Sequence, residues 1–166
     1  MSVAIIIGSD SDWNIMRKAA EVLREFDISV EVTVASAHRT PARVQEFIES
    51  CHAQDVKIFI AAAGMAAHLA GVVAANTTRP VIAVPINSEP LKGIDALLST
   101  VQMPPGVPVA TMAINGAKNA GIFAAEILAL TDDNLKKKLA DYRAEMAQEV
   151  ERKADNVKRE FMKGAD

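Results

Sequence analysis

Val30-Glu31-Val32-Thr33-Val34-Ala35-Ser36-Ala37-His38-Arg39-Thr40-Pro41 is a β-branched run that gives way to small and polar residues and ends on Thr-Pro. The run 30–34 reads as a buried strand. Thr40-Pro41 reads as a helix start, a capping side chain followed by proline at the first helical position. The stretch is therefore a strand–loop–helix joint with a serine, a histidine and an arginine in its loop. An arginine beside a helix N-terminus can hold an anion, and a histidine beside that anion can move protons near neutral pH. Alone, the joint reads equally well as an ordinary polar loop, because short motifs are weak signals.

The same joint recurs outward in both directions. Residues 3–7 are wholly apolar and end at Gly8, as a strand buried on both faces would. Ser11 or Asp12 is placed to cap the next helix, whose apolar positions Ile15, Ala19, Val22, Leu23 and Phe26 have helical spacing. Residues 28–34 form the second strand and 43–51 the second helix; 56–63 form the third strand and 66–75 the third helix. Strands at 80–84 and 107–114 and helices at 94–101 and 117–130 complete the pattern, with a rigid Pro104-Pro105 loop at 102–106. Five alternations predict an α/β protein: a three-layer, flavodoxin-like, doubly wound parallel sheet of order 2-1-3-4-5. No repeat or linker divides the 166 residues, so a single domain is expected.

Composition agrees with that class. Half of the residues are hydrophobic and only 4% aromatic, which suits parallel strands packed against small-residue helices. A net charge of −3 with no basic stripe argues against a nucleic-acid partner. No apolar run approaches the ~18 residues of a membrane span, and the chain opens directly on a strand without a charged leader. Cys51 is the single cysteine, which excludes an internal disulfide and suits a reducing compartment. A soluble, cytoplasmic protein is expected. Cys51 and His52 read as a surface pair at the end of an exposed helix.

The tail differs. From 132 to 162 no glycine or proline intervenes, while Leu135, Leu139, Tyr142, Met146, Val150, Val157 and Phe161 recur at intervals of three, four or seven. About thirty helical residues would span ~45 Å, more than a domain of this size is wide. The extension is expected to pack on a neighbouring subunit of a homo-oligomer, the alternative being a broken helix folded back on its own domain.

In open parallel sheets ligands bind at the carboxyl ends of strands, near the point where strand order reverses. With order 2-1-3-4-5, the loops after strands 1, 2 and 3 share one crevice: residues 8–12, 36–39 and 63–68. The first loop matches neither a phosphate loop nor a dinucleotide fingerprint. Its serines and backbone N–H groups suit an anion, and Asp12 suits sugar hydroxyls; the plainer reading is that Ser11 and Asp12 cap a helix. His38 reads as a proton carrier, whereas His68, among alanines, is equally a packing histidine or a ligand contact. No cluster of His, Cys, Asp and Glu has metal spacing.

Gly8-Ser9-Asp10-Ser11-Asp12-Trp13, Ser36-Ala37-His38-Arg39-Thr40-Pro41, Ala63-Gly64-Met65-Ala66-Ala67-His68-Leu69 and Val101-Gln102-Met103-Pro104 together resemble the N5-carboxyaminoimidazole ribonucleotide mutase (PurE) family of purine biosynthesis, bacterial type. The resemblance covers about residues 3–130. It implies an isomerase that moves a carboxylate from nitrogen to carbon by decarboxylation and recarboxylation, without metal or organic cofactor, and typically a homo-octamer. By the same resemblance Ser9, Ser11, Asp12, Ser36 and Arg39 would hold the ribose phosphate. Of these, Asp12 would face the ribose hydroxyls, while His38 would be the catalytic proton shuttle. Gly64, Ala66, Ala67, His68 and Leu69 would close over the aminoimidazole and its carboxylate. The chain departs from the family pattern at Met65, where glycine is common, at Ala70, where proline is common, in a shorter loop at 114–119 and in the long tail. Competing readings are a carboxylase of the same fold that uses free CO2, and a non-catalytic flavodoxin-like binding module.

Overall fold

The computed structural model describes residues 1–163. Five parallel strands, β1 (Ser2–Ile7), β2 (Ser29–Val34), β3 (Ile58–Gly64), β4 (Val81–Ile86) and β5 (Ala110–Thr111), lie in the order β2-β1-β3-β4-β5. Between and after them run α1 (Trp13–Glu25), α2 (Pro41–Ala53), α3 (Leu69–Ala75), α4 (Ile94–Val101) and α5 (Ala117–Leu128). The doubly wound, flavodoxin-like arrangement is the one expected from the alternating pattern.

β1 lies between two partners, and Val3 through Ile7 are at most 1% exposed, as an all-apolar strand covered on both faces must be. Its register sets Ile7 beside both Val34 and Ala62, so β1 and β2 end at one level, β3 runs two residues further, and all three release their loops at one edge of the sheet. β2, expected to be buried, is an edge strand with Val32 39% and Val34 42% exposed. Its β-branched residues report strand propensity rather than burial. The strand expected over 107–114 contracts to Ala110–Thr111. Pro108 lacks a ladder N–H, which leaves only a short edge strand. Beyond it the chain still follows β4, with Met112 N–H donating to Ala83 O and Asn115 N–H to Pro85 O, each at 2.8 Å.

Local starts differ in detail. Pro41 opens α2 as expected, but the Thr40 hydroxyl makes no cap bond and instead bonds Ser36. Ser9, rather than Ser11 or Asp12, supplies the side-chain cap, and a 3-10 turn at Asp10–Asp12 leads into α1. α3 begins at Leu69 rather than at 66, the backbone N–H and carbonyl of Ala67 being bonded instead to Ser99 Oγ and Thr100 Oγ1. Cys51 is buried rather than at the surface, and burial pushes its thiol up to about 11, so it acts as packing. His52 alone is exposed, with its Nε2 2.9 Å from Thr77 Oγ1.

α1 packs along α5 where Gly121 permits close approach. A Cβ at Gly121 would stand 2.5 Å from Val22 Cγ1 and 2.9 Å from Ala19 O. Gly121→Ala is therefore expected to cost about 1–3 kcal/mol by overpacking, read as a fall in Tm of several degrees with the pocket's ligand affinity retained.

Contacts divide the chain into two compact units, Met1–Leu128 and the segment from Ala129 onward. The second unit holds α6 (Asp133–Lys163), one continuous helix of 31 residues and not a broken one. Asp132 Oδ1 accepts from Leu135 N–H at 2.9 Å and caps it. No helix is long and apolar enough to cross a membrane among the described residues.

Candidate active site

The edge at which β1, β2 and β3 release their loops dictates what meets there. A cavity of about 720 Å³, within the usual range for small-molecule sites, opens at that edge. It is lined from the first loop by Gly8, Ser9, Ser11 and Asp12, and from the second by Ser36, Ala37, His38 and Arg39. The third loop contributes Gly64, Met65, Ala66, His68 and Leu69. The crevice shared by three loops is thus present.

The second loop is fixed by its own hydrogen bonds. Ser36 N–H donates to Thr40 Oγ1 at 2.9 Å, Thr40 N–H to Ser36 O at 2.9 Å and Arg39 N–H to Ser36 Oγ at 3.2 Å. The Ser36 hydroxyl, used there as acceptor, keeps its own proton for a ligand oxygen. Arg39 reaches across to the first loop, its guanidinium 3.4 Å from Gly8 O. In the first loop, Ser11 Oγ donates to Ser9 Oγ at 2.9 Å and Ser9 Oγ to Asp10 Oδ1 at 3.2 Å. Asp10 is thereby engaged by the Ser9 hydroxyl and, at 3.0 Å, by the Ser11 N–H, and Asp12 is the carboxylate that lines the cavity. Asp12 is only 7% exposed, and burial raises its carboxyl above the ordinary value against the opposing bonds from Ser9 and Ser11.

His38 Nε2 stands 2.8 Å from His68 Nδ1, with the rings edge to face at 4.9 Å. One of these nitrogens must donate and the other accept, so the two imidazoles are held in complementary tautomers. His68 thus lies in the cavity against His38 and is not a packing histidine. Ala67 turns the other way: its side chain is buried, its N–H donates to Ser99 Oγ at 3.0 Å and its carbonyl accepts from Thr100 Oγ1 at 3.2 Å. It anchors the third loop to α4 rather than lining the cavity.

A fourth wall was not anticipated. Ile86, Asn87 and Ser88, after β4, also line the cavity, and Ser88 Oγ accepts from Met65 N–H at 3.1 Å. That bond holds the left-handed Met65 in a conformation natural to glycine, the residue the resemblance leads one to expect there. The order β3-β4 in the sheet was the available signal, since a strand beside β3 must also bring its loop to this edge. In the 114–119 loop, Asn115 Oδ1 accepts from Asn87 N–H at 2.9 Å and braces the same wall. Among the described residues no group of three His, Cys, Asp or Glu could hold a metal ion.

Fold and site define a flavodoxin-like α/β protein with a small-molecule pocket at the carboxyl edge of its sheet, two histidines in contact inside it. Comparison with known proteins narrows the class: the AIR carboxylase family model matches residues 2–149, and the chain belongs to that family. A protein of Methanocaldococcus jannaschii named N5-carboxyaminoimidazole ribonucleotide mutase is 54% identical over 159 residues, covering 96% of this chain and 99% of that one. One of Thermotoga maritima with the same name is 50% identical, covering 93% of this chain and 91% of its own. The crystal structure of Treponema denticola PurE superposes with a TM-score of 0.83 at 31% identity, covering 90% of this chain and 93% of that chain.

Proposed function

We propose that this chain is an isomerase of purine biosynthesis that converts N5-carboxyaminoimidazole ribonucleotide to 4-carboxy-5-aminoimidazole ribonucleotide. The observation that carries the reading is the meeting of His38, Arg39 and Asp12 in one cavity at the loops that resemble the mutase family. Relatives bearing that enzyme's name align over almost the whole chain.

The chemistry follows from the substrate. The carboxylate on N5 is a carbamate, and protonation of that nitrogen lets the N–C bond break to give CO2 and neutral aminoimidazole ribonucleotide. C4 then attacks the CO2 carbon, and the proton on C4 leaves to restore the aromatic ring. One side chain can give the first proton and take the last, and His38 is the group assigned to do so. Arg39 with the hydroxyls of Ser9, Ser11 and Ser36 binds the phosphate, and Asp12 accepts from the ribose hydroxyls. Gly64, Ala66, His68 and Leu69 lie over the base and its carboxylate. CO2 must stay where it is released, and a wall of Gly64, Met65 and Ala66 offers it few polar competitors.

Asp12 carries a testable trade-off. Its raised pKa means that the folded protein binds the proton more tightly than the unfolded chain, so its contribution to stability falls as pH rises above 3.8 through the folded value. Asp12→Asn is accordingly expected to raise the Tm of the unliganded protein at neutral pH, with the gain vanishing below about pH 3.8. The same change should weaken nucleotide binding about tenfold or more, by loss of charge-assisted hydrogen bonds. Thermal melts across pH and ligand titration measure both.

The chain is further read as a cytoplasmic homo-oligomer, an octamer on the family resemblance. The exposed apolar face of Leu91, Ile94, Leu98 and Val101 and the bare edge valines of β2 support assembly, since such patches mark contact surfaces. Light scattering should give about eight times the 17.7 kDa of one chain; a monomer contradicts it.

The decisive assay supplies each substrate separately. Turnover of N5-carboxyaminoimidazole ribonucleotide without added CO2 is expected. Turnover only of aminoimidazole ribonucleotide with free CO2 would instead identify a carboxylase.

A further inference from the structure

We propose that the Ser88 hydroxyl donates a hydrogen bond to the carboxylate that is moved, which makes Ser88 a substrate-binding residue of the fourth wall. The inference rests on the reading of the cavity as a site for N5-carboxyaminoimidazole ribonucleotide, and it gives a task to a group that reading leaves without one. Among the described residues four serines line the cavity. Ser9, Ser11 and Ser36 stand on the first two loops with Arg39, the groups assigned to the phosphate. Ser88 stands apart from them, bonded to the third loop, the one assigned to the base and its carboxylate.

The backbone fixes its place. Ile86, the last residue of β4, pairs with Gly64, the last of β3, so residue 88 lies just past the end of the sheet against the third loop. Asn87, between them, is held by its N–H bond to Asn115. A Cβ at Gly64 would stand 3.1 Å from Ser88 Oγ and 3.3 Å from Ile86 O, closer than ordinary contact. The hydroxyl thus fills the space of the side chain that Gly64 lacks, in a wall shared with Met65 and Ala66. Ser88 Oγ accepts from Met65 N–H at 3.1 Å, and a hydroxyl used as acceptor keeps its own proton for a ligand oxygen.

The moving group needs such a donor. Its two oxygens carry the negative charge in the carbamate, lose it as CO2 forms and regain it when C4 attacks. A donor already fixed there stabilises the charge as it returns, with no proton changing hands. His38 and His68 commit the hydrogen between their facing nitrogens to each other, and Ser88 takes no part in that exchange.

Calorimetric titration of Ser88→Ala with two nucleotides, one bearing the carboxylate and one lacking it, tests this. 4-Carboxy-5-aminoimidazole ribonucleotide should bind about tenfold or more weakly than to the unaltered protein, while aminoimidazole ribonucleotide stays within about twofold. Ser88→Cys keeps nearly the same shape and replaces the hydroxyl by a weak donor, so it should show the same selective loss where the alanine variant folds poorly. Equal weakening of both nucleotides in the cysteine variant would mean that the hydroxyl only braces Met65, and would overturn the proposal. Unchanged affinity for the carboxylated nucleotide would overturn it as well. An unaltered protein that binds neither nucleotide would refute the enzymatic reading, and this inference with it, which sets that failure apart from a failure of Ser88 alone.

Discussion

His38→Asn should lower turnover by at least about a hundredfold while the protein stays folded and still binds the nucleotide. The side chain is exposed in the cavity, and the loop that carries it is held by Ser36, Arg39 and Thr40 backbone bonds, none of which involves the imidazole. Asparagine keeps a polar group of similar reach but cannot accept and return a proton, so the loss falls on kcat. What disappears with the ring is its contact with His68, 2.8 Å away. His68→Asn therefore makes the companion measurement, separating loss of the shuttle from loss of the pair. Retention of more than about a tenth of the normal rate in His38→Asn would remove His38 from the shuttle role, since general acid–base groups contribute about 10²–10⁴.

Arg39→Ala should raise KM by about 10–150-fold and change kcat by far less, the effect of losing hydrogen bonds of about 1.5–3 kcal/mol to a charged group. The guanidinium is exposed and its one hydrogen bond among the described residues is a long one to Gly8 O at 3.4 Å, so little fold stability depends on it. It is available for a ligand anion at the mouth of a cavity where Ser9, Ser11 and Ser36 bring hydroxyls. A phosphate is bound alike in substrate and transition state, so its loss acts on binding. Arg39→Lys should recover part of the affinity, a point charge replacing a planar fork. An unchanged KM in Arg39→Ala would place the phosphate elsewhere.

Much of this architecture was legible because periodicity and sheet order are local or simply combinatorial. The all-apolar run at 3–7 is an inner strand covered on both faces, and α4 spans the expected 94–101. From the order 2-1-3-4-5 alone, three loops had to share an edge, and they do. The unreadable parts depend on contacts distant in sequence. His68 meets His38 across 30 residues, Ala67 is turned by Ser99 and Thr100 across 32 and 33, and Ser88 holds Met65 across 23. β-branched residues predicted β2 but could not tell an edge strand from a covered one, because both favour the same side chains. Cys51 looked superficial at a helix end, yet it faces the core beneath the Arg79 guanidinium, which bonds its carbonyl at 3.2 Å.

In the proposed reaction the carboxylate leaves nitrogen and reaches carbon without leaving the cavity. Turnover of substrate labelled in that carboxylate, in the presence of excess unlabelled bicarbonate and CO2, measures this retention. The label should remain in 4-carboxy-5-aminoimidazole ribonucleotide through most turnovers. A product whose carboxylate matches the unlabelled pool would mean that CO2 escapes before recapture, and would contradict the account.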